Sequence, residues 1–411
     1  MKALHLVKTS VGGHWAFRQM RELIRLGVDV HVALPDGGPL IPTYETYGIK
    51  VHALQPDFPV RQPWRWKGLF KQFRDLVASI GPDIIHSHFV GTTLTMRLAL
   101  GKRHVMPRVF QVPGPLHLEH RFFREAELWS SGPSDHWVAS CRWTYDRYLR
   151  SGILIDRLWL SYYGIDFKGS SGVRTGKLRR LLGLGPESKL VGMVAFMYRP
   201  KRYLGHSRGI KGHEDLIDAL AICVERDPNV CGVFIGGAYG NAVRYEAQVR
   251  EYAEKRLGAR ARFLGVRNDV RDLYPDFDVA VHPSHSENLG GAAESLDLAV
   301  PTIATRVGGF PDLIEHGETG WLVPPKVPRE LAEAIMTALA DPVRARALAV
   351  KGQAKVHEIL DVKKTAREVF ALYGTILGEC GQPVRAYDSR PRASRKTRVE
   401  MGMVDVQRNI E

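Results

Sequence analysis

The sequence predicts an α/β chain made of two doubly wound units, each a parallel sheet flanked by helices, facing one another across a cleft. Three observations carry that prediction. Short apolar runs alternate with helical-period runs twice over, once before residue 166 and again after residue 188. A segment rich in Gly, Ser, Lys and Arg, residues 167–188, separates the two series. Several apolar runs end in glycine turns and polar groups, where a ligand of an open parallel sheet sits.

Composition sets the outer bounds. At 411 residues and 44% hydrophobic, the chain has room for two cores. No apolar run reaches the ~18 residues of a membrane span. The opening MKALHLVKTSVGG reads as a first strand and not a signal peptide. Four cysteines, Cys141, Cys223, Cys231 and Cys380, form no C-x-x-C pair, so a reducing, cytoplasmic setting is expected. The net charge of +14 suits an anionic partner. No helix-turn-helix, zinc-finger or RNA-binding signature accompanies it, so nucleic acid is not expected.

In the first unit, residues 2–7 read as a strand entering the turn Gly12-Gly13. A helix follows over 14–26, with Phe17, Met20, Leu23 and Ile24 at helical spacing, and then a strand over 28–34. The turn is not G-x-G-x-x-G, so a dinucleotide fingerprint is absent. Residues 60–80 form an amphipathic helix whose stripe of Leu69, Phe73, Leu76 and Val77 packs inward. Trp64 and Trp66 are left over beside Arg61, Arg65, Lys67 and Lys71, a pattern that suits an anionic membrane surface. The strand PDIIHSH carries His86 and His88 on one face, open to strand-end packing or to a metal ion. Strands over 108–115, 135–141 and 158–162 complete the unit, with a helix over 142–150.

The second unit opens with the strand VGMVAF at 191–196. A polar, basic loop follows, and then Lys211 at the head of a helix, where the helix end itself favours anions. A strand over 233–237 ends in Gly236-Gly237, a helix spans 242–257, and RFLGVRNDVRDLY follows. The strand Val279–Val281 then leads into HPSHSENLGGAAESLDLAVPTIATRVGGFPDLIEHGETGWLVPP. Glu287 and Glu294 lie seven residues apart in it, with Gly290 and Gly291 between them. Carboxylates accept several hydrogen bonds and suit sugar hydroxyls, while glycine backbone approaches a polar ligand closely. Helices over 329–340, 343–358 and 362–377 close the ordered chain. A basic segment, 379–411, reads as a disordered tail or a second membrane contact.

The PS…E…E…L…VP…AT..GG.P..I..G.TG.LVPP run and the KG-H-E-D-L-I-x-A segment resemble the retaining glycosyltransferases of family four (glycosyl transferases group 1), which have the GT-B fold. The resemblance implies two Rossmann-like domains: 1–166 for the acceptor, 167–188 as linker, and 189–359 for a nucleotide-sugar donor. It implies too that a C-terminal helix at about 360–378 crosses back onto the first domain. It implies transfer of a sugar from a nucleotide diphosphate sugar to a growing polysaccharide or lipid-linked glycan, with retention, no cofactor and no metal. A peripheral place at the inner face of the plasma membrane goes with that reading.

The resemblance also assigns roles. Lys211 and Glu287 would be catalytic, with His117 standing in for a histidine whose usual position is Pro113. Gly12, Gly13, Arg208, Gly236, Val266, Arg267, Asn288, Leu289, Gly290, Gly291 and Glu294 would bind the donor. The family's second phosphate-binding cation falls at Phe196, leaving Arg199, Lys201 or Arg208 to supply it. The usual spacing of the two acids is one residue longer, so either Ser286 or Glu287 takes the first-acid position. A GT-B epimerase, a sugar-phosphate synthase and a non-catalytic nucleotide-sugar-binding scaffold are the competing readings.

Overall fold

The computed structural model describes residues 1–167 and 172–378; the basic segment 379–411 and part of the linker lie outside them. The first half forms a seven-stranded parallel sheet of β1 (Lys2–Leu6), β2 (Asp29–Leu34), β3 (Lys50–Ala53), β4 (Ile84–Ser87), β5 (Arg108–Gln111), β6 (Asp135–Ala139) and β7 (Leu158–Leu160). Their spatial order is β3-β2-β1-β4-β5-β6-β7. The second half forms a six-stranded parallel sheet of β8 (Lys189–Val194), β9 (Val230–Ile235), β10 (Ala261–Gly265), β11 (Val279–His282), β12 (Thr302–Thr305) and β13 (Trp321–Val323). Its order is β10-β9-β8-β11-β12-β13. In each sheet the order reverses beside the first strand, and the loops there open toward a ligand.

The strands read as continuous apolar runs because helices cover both faces of each sheet. All six residues of β9 are buried, and the last four of β1. The helix Val362–Leu377 belongs to the second half by sequence but packs on the first sheet. Val369, Leu372 and Tyr373 share a core with Val30, Val32 and Val109, and the Tyr373 hydroxyl lies 2.5 Å from His86 Nδ1.

His5, His86 and His88 come together beneath that helix, the one group of its kind among the described residues close enough to hold a metal ion. Their rings are stacked, with planes 14° to 26° apart. His5 Nδ1 and His88 Nε2 share a hydrogen bond of 2.8 Å, and His88 Nδ1 meets the Tyr163 hydroxyl at 2.8 Å. The stack is a hydrogen-bonded packing unit that ties β1 and β4 to the C-terminal helix.

Burial keeps these rings neutral. The His5 pKa is pushed down to about 3, as is that of His282, while His213 and His136 fall to about 4. In the unfolded chain each would titrate near 6.5. Stability is therefore complete above pH ~6.5. As pH falls below that value, protons bind the unfolded state first, and each ring costs up to about 1.4 kcal/mol per pH unit until its folded pKa is reached. The expected result is cooperative unfolding between pH 6 and 4, checked by circular dichroism during acid titration. His5→Gln should move that transition to lower pH.

A second buried polar cluster supports the far side of the first sheet. Arg97 Nη1 meets Glu127 Oε1 at 2.6 Å, and its Nε meets Asp135 Oδ1 at 2.9 Å. Arg108 Nη2 reaches Asp135 Oδ2 at 2.7 Å. All four side chains are essentially inaccessible to water. The helix Val90–Leu100 brings Arg97 there, and Arg121–Ser130 brings Glu127.

Candidate active site

The carboxyl ends of β8 and β11 meet the loops of β1, β4 and β5 around a cleft of about 410 Å³. Lys211 and Glu287 form its second-half wall with Tyr198, Lys201 and Asn288; Lys8, Phe89, Gly114 and His117 line the first-half side. Lys211 arrives two residues before the helix His213–Arg226. Gly212 takes φ 75° between them. A Cβ at Gly212 would collide with the Pro283 carbonyl, so glycine lets the helix start abut the β11 loop.

Lys211 Nζ pairs directly with Glu287 Oε2. Burial would lower the lysine's pKa, but the Glu287 charge more than offsets it and holds it above its ordinary value, so Lys211 is a fixed cation. Glu287 also accepts from the Asn288 amide at 3.1 Å. Gly290 leaves room for its carboxyl, which a Cβ there would meet at 3.1 Å. Gly290 and Gly291 form the start of the helix Gly290–Asp297, two residues beyond Asn288 of the cleft wall, and first-turn amides have no partner within their own helix. Glu287, not Ser286, holds Lys211; Ser286 is buried and interacts with Glu119 of the first half.

The remaining residues divide into those the fold brings to the cleft and those it does not. Asn288 donates to Ser140 Oγ at 3.1 Å across the two halves, and its Oδ1 has no protein partner among the described residues. Glu294 sits on the helix Gly290–Asp297 with an accessible side chain, yet protein surrounds its carboxyl; this desolvation raises its pKa, opposed by Arg18 of the first half and Arg271. His117 meets the Tyr148 hydroxyl at 3.2 Å, and burial takes its pKa down to about 3, so it is a neutral imidazole. Gly13, with φ 87°, begins the helix His14–Arg25, and Gly12 lies in the open loop before it. Val266 is exposed in the turn after β10, and Arg267 is paired with Asp269 at 2.8 Å.

Three expectations change. Arg208 does not reach the cleft wall: Asp215 and Asp218 hold its guanidinium at 2.5 and 2.8 Å. Lys201 lines the cleft instead, its pKa lowered by burial and by Lys8. Gly236 offers no free amide, because its N–H donates to the Gly265 carbonyl at 2.8 Å. Its glycine is required by the close approach to Ala195. Leu289 is buried in the second-half core, so its side chain faces away from a ligand. The second glycine pair serves the contact between the halves. A Cβ at Gly308 would collide with the Glu287 carbonyl and come 3.3 Å from Pro115, and one at Gly309 would come 2.9 Å from Cys141 Cβ.

Sequence reasoning passed over Lys8, Glu119 and Tyr198. Glu119, on the short helix Leu116–Glu119, has its carboxyl pushed above the ordinary range, chiefly by burial. The available signal was position alone, since each follows a strand end.

Residues 203–355 match the model of the glycosyl transferases group 1, and residues 13–168 match that of glycosyltransferase family 4. The chain belongs to these glycosyltransferases. The lipopolysaccharide core biosynthesis mannosyltransferase LpsB of Rhizobium meliloti (strain 1021) is 26% identical over 203 residues, covering 48% of this chain and 55% of that one. The D-inositol 3-phosphate glycosyltransferase of Corynebacterium glutamicum (strain R) is 33% identical over 172 residues, covering 41% and 39%. The match thus spans about half the length of these relatives or less. The crystal structure of HepE from Anabaena in complex with UDP-glucose superposes with a TM-score of 0.74 at 22% identity, over 91% of this chain and all of that one. Sucrose-phosphate synthase from Thermosynechococcus elongatus gives 0.72 at 21%, over 92% and 100%. These neighbours share the GT-B fold with this glycosyltransferase chain.

Proposed function

We propose that this chain is a retaining glycosyltransferase that moves a hexosyl group from a nucleotide diphosphate sugar to a hydroxyl of a growing polysaccharide or lipid-linked glycan. The observation that carries the reading is the Lys211–Glu287 pair at the start of the helix Gly290–Asp297, facing the first-half loops across the cleft. Donor complexes of HepE with UDP and UDP-glucose support a nucleotide sugar, and the names of LpsB and the inositol-phosphate enzyme support glycosyl transfer.

In this reading the bond from the anomeric carbon to the diphosphate breaks and a bond to the acceptor oxygen forms on the same face. Charge grows on the leaving phosphate. Lys211, Lys201 and the first-turn amides Gly290 and Gly291 stabilise it, and fixed dipoles do so without reorganising. Glu287 and the unpaired Oδ1 of Asn288 orient sugar hydroxyls. Glu294 receives ribose hydroxyls. His117 stays neutral and serves as a hydrogen-bond partner, not an acid. The acceptor proton leaves with the phosphate, so no further base is needed.

The experiment is incubation of purified protein with nucleotide sugars, with and without a lipid-linked or polysaccharide acceptor. Nucleoside diphosphate released only with acceptor, and product of retained anomeric configuration by NMR, is the expected result. Turnover of donor alone marks an epimerase; donor binding without turnover marks a scaffold.

A peripheral contact with anionic membrane belongs to the same proposal. Trp64 is 75% exposed beside Arg61, Arg65 and Lys67, whereas Trp66 packs on Phe58 and donates to the Pro59 carbonyl at 2.9 Å. No helix among the described residues is long and apolar enough to cross a membrane. Trp64→Ala should reduce co-sedimentation with phosphatidylglycerol vesicles several-fold; binding equal to wild type would remove this contact.

A further inference from the structure

The second half carries another cavity, on the side away from the cleft. It measures about 590 Å³ and lies where β8, β11 and β12 begin, bounded there by Lys189, Asp278 and Pro301. Gly172, Val173 and Arg174 of the linker and the first turns of the helix Pro342–Leu360 close it. The cleft lies at the opposite ends of β8 and β11, so this cavity has no part in the transfer proposed there.

Its lining is basic on one side and apolar on the other. Arg174, Arg179, Lys189 and Arg346 line it beside two carboxylates, Asp278 and Glu187. Asp278 is divided between Arg174 at 2.6 Å and Arg179 at 2.9 Å, and Lys189 turns to Asp227 at 2.7 Å. Arg346 has no carboxylate partner among the described residues; its guanidinium donates to the carbonyls of Ala299 and Gly172. Burial, and then the neighbouring Arg174 charge, hold its pKa below the ordinary value. The Nε of Arg179 is buried with no partner among the described residues. Val173, 60% exposed, forms the apolar side with Leu339, Pro301 and Pro342.

Guanidinium groups gathered in this way repel one another until an anion joins them. Phosphate suits them best, because it accepts paired N–H groups from arginine and carries close to two negative charges near neutral pH. The apolar side suits a carbon body attached to that phosphate. We propose that this cavity binds a small phosphate monoester, with its phosphate on Arg174 and Arg346 and its carbon body against Val173 and Leu339. The site is separate from the donor cleft. A ligand there ties the linker to the last helices of the second half, since Arg174 and Arg346 belong to one each.

Isothermal titration with phenyl phosphate, inorganic phosphate and phenol tests it, on wild type, Lys211→Ala, Arg174→Gln and the double variant Arg174→Gln/Arg346→Gln. Phenyl phosphate should bind wild type and Lys211→Ala within about twofold of each other. Arg174→Gln, a change at a half-exposed side chain, should weaken it about tenfold, the scale of one charge-assisted contact, and the double variant should weaken it further. Inorganic phosphate should bind less tightly than phenyl phosphate, and the melting curve of Arg174→Gln should match wild type. No binding of phenyl phosphate by wild type, unchanged affinity in both arginine variants, or an equal loss in Lys211→Ala would overturn the site. Phenol bound as tightly as phenyl phosphate would overturn the phosphate assignment. Weakened binding with a matching fall in melting temperature would overturn it too, by assigning the effect to the fold.

Discussion

Lys211→Ala should lower glycosyl transfer tenfold or more, with the fold intact. Among the described residues the lysine is the one cation paired with Glu287, and it stands beside two helix starts, where in the proposed reading a leaving diphosphate gains charge. A loss of ~1.4 kcal/mol of transition-state stabilisation already gives tenfold. The Lys211 cation stays protonated across the neutral range because Glu287 holds its pKa up against burial, so the effect does not depend on pH there. Glu287→Gln keeps the shape and removes the charge. It should cost a similar factor and fall mainly on kcat, if the carboxylate's contact strengthens as the sugar flattens. Steady-state rates with donor and acceptor check both, and near-native turnover in the two variants would remove the assignment.

Asp135→Ala should destabilise the first half by about 3–5 kcal/mol, read as a lowered urea midpoint. The reason is arithmetic of charge in a dry place. Asp135 accepts from Arg97 and from Arg108, and its removal leaves Arg97 with Glu127 alone and Arg108 with only backbone carbonyls in a buried place. Burial alone already lowers the Arg108 pKa, which Asp135 opposes. Whole domains of this kind are stable by only about 5–15 kcal/mol, so the loss is a large part of the total. Replacing a surface pair such as Lys71–Asp75, spaced i,i+4 and exposed, should change the midpoint little.

That network also marks where sequence reading ends. Most strands and amphipathic helices were legible because one period decides them: apolar runs for sheets covered on both faces, a 3.6-residue stripe for helices with one wet side. The helix Val90–Leu100 was not, because Thr92, Thr93, Thr95, Met96, Arg97 and Ala99 are all buried and leave no polar face to set the period. Arg97 and Arg108 look like surface charges until Asp135, 38 and 27 residues away from them, is placed between their guanidinium groups. At the candidate site, Lys211, Glu287 and the Gly290-Gly291 helix start were legible from local spacing. Arg208 was misassigned because nearness in sequence to Lys211 says nothing of Asp215 and Asp218, which lie in the first and second turns of the next helix and claim it first. Gly236 looked like a ligand glycine and is a close-packing glycine, as Gly308 is, a distinction that only the neighbouring carbonyls make.

The central claim is that the cleft beside Lys211 holds a nucleotide diphosphate sugar. Thermal unfolding in the presence of UDP-, GDP- and ADP-sugars tests it most directly, with Lys211→Ala in parallel. A donor at 100 times its Kd should add about 2.7 kcal/mol of stability to the wild type, and much less to the variant. A melting temperature unmoved by every donor, or moved equally in Lys211→Ala, would contradict the account.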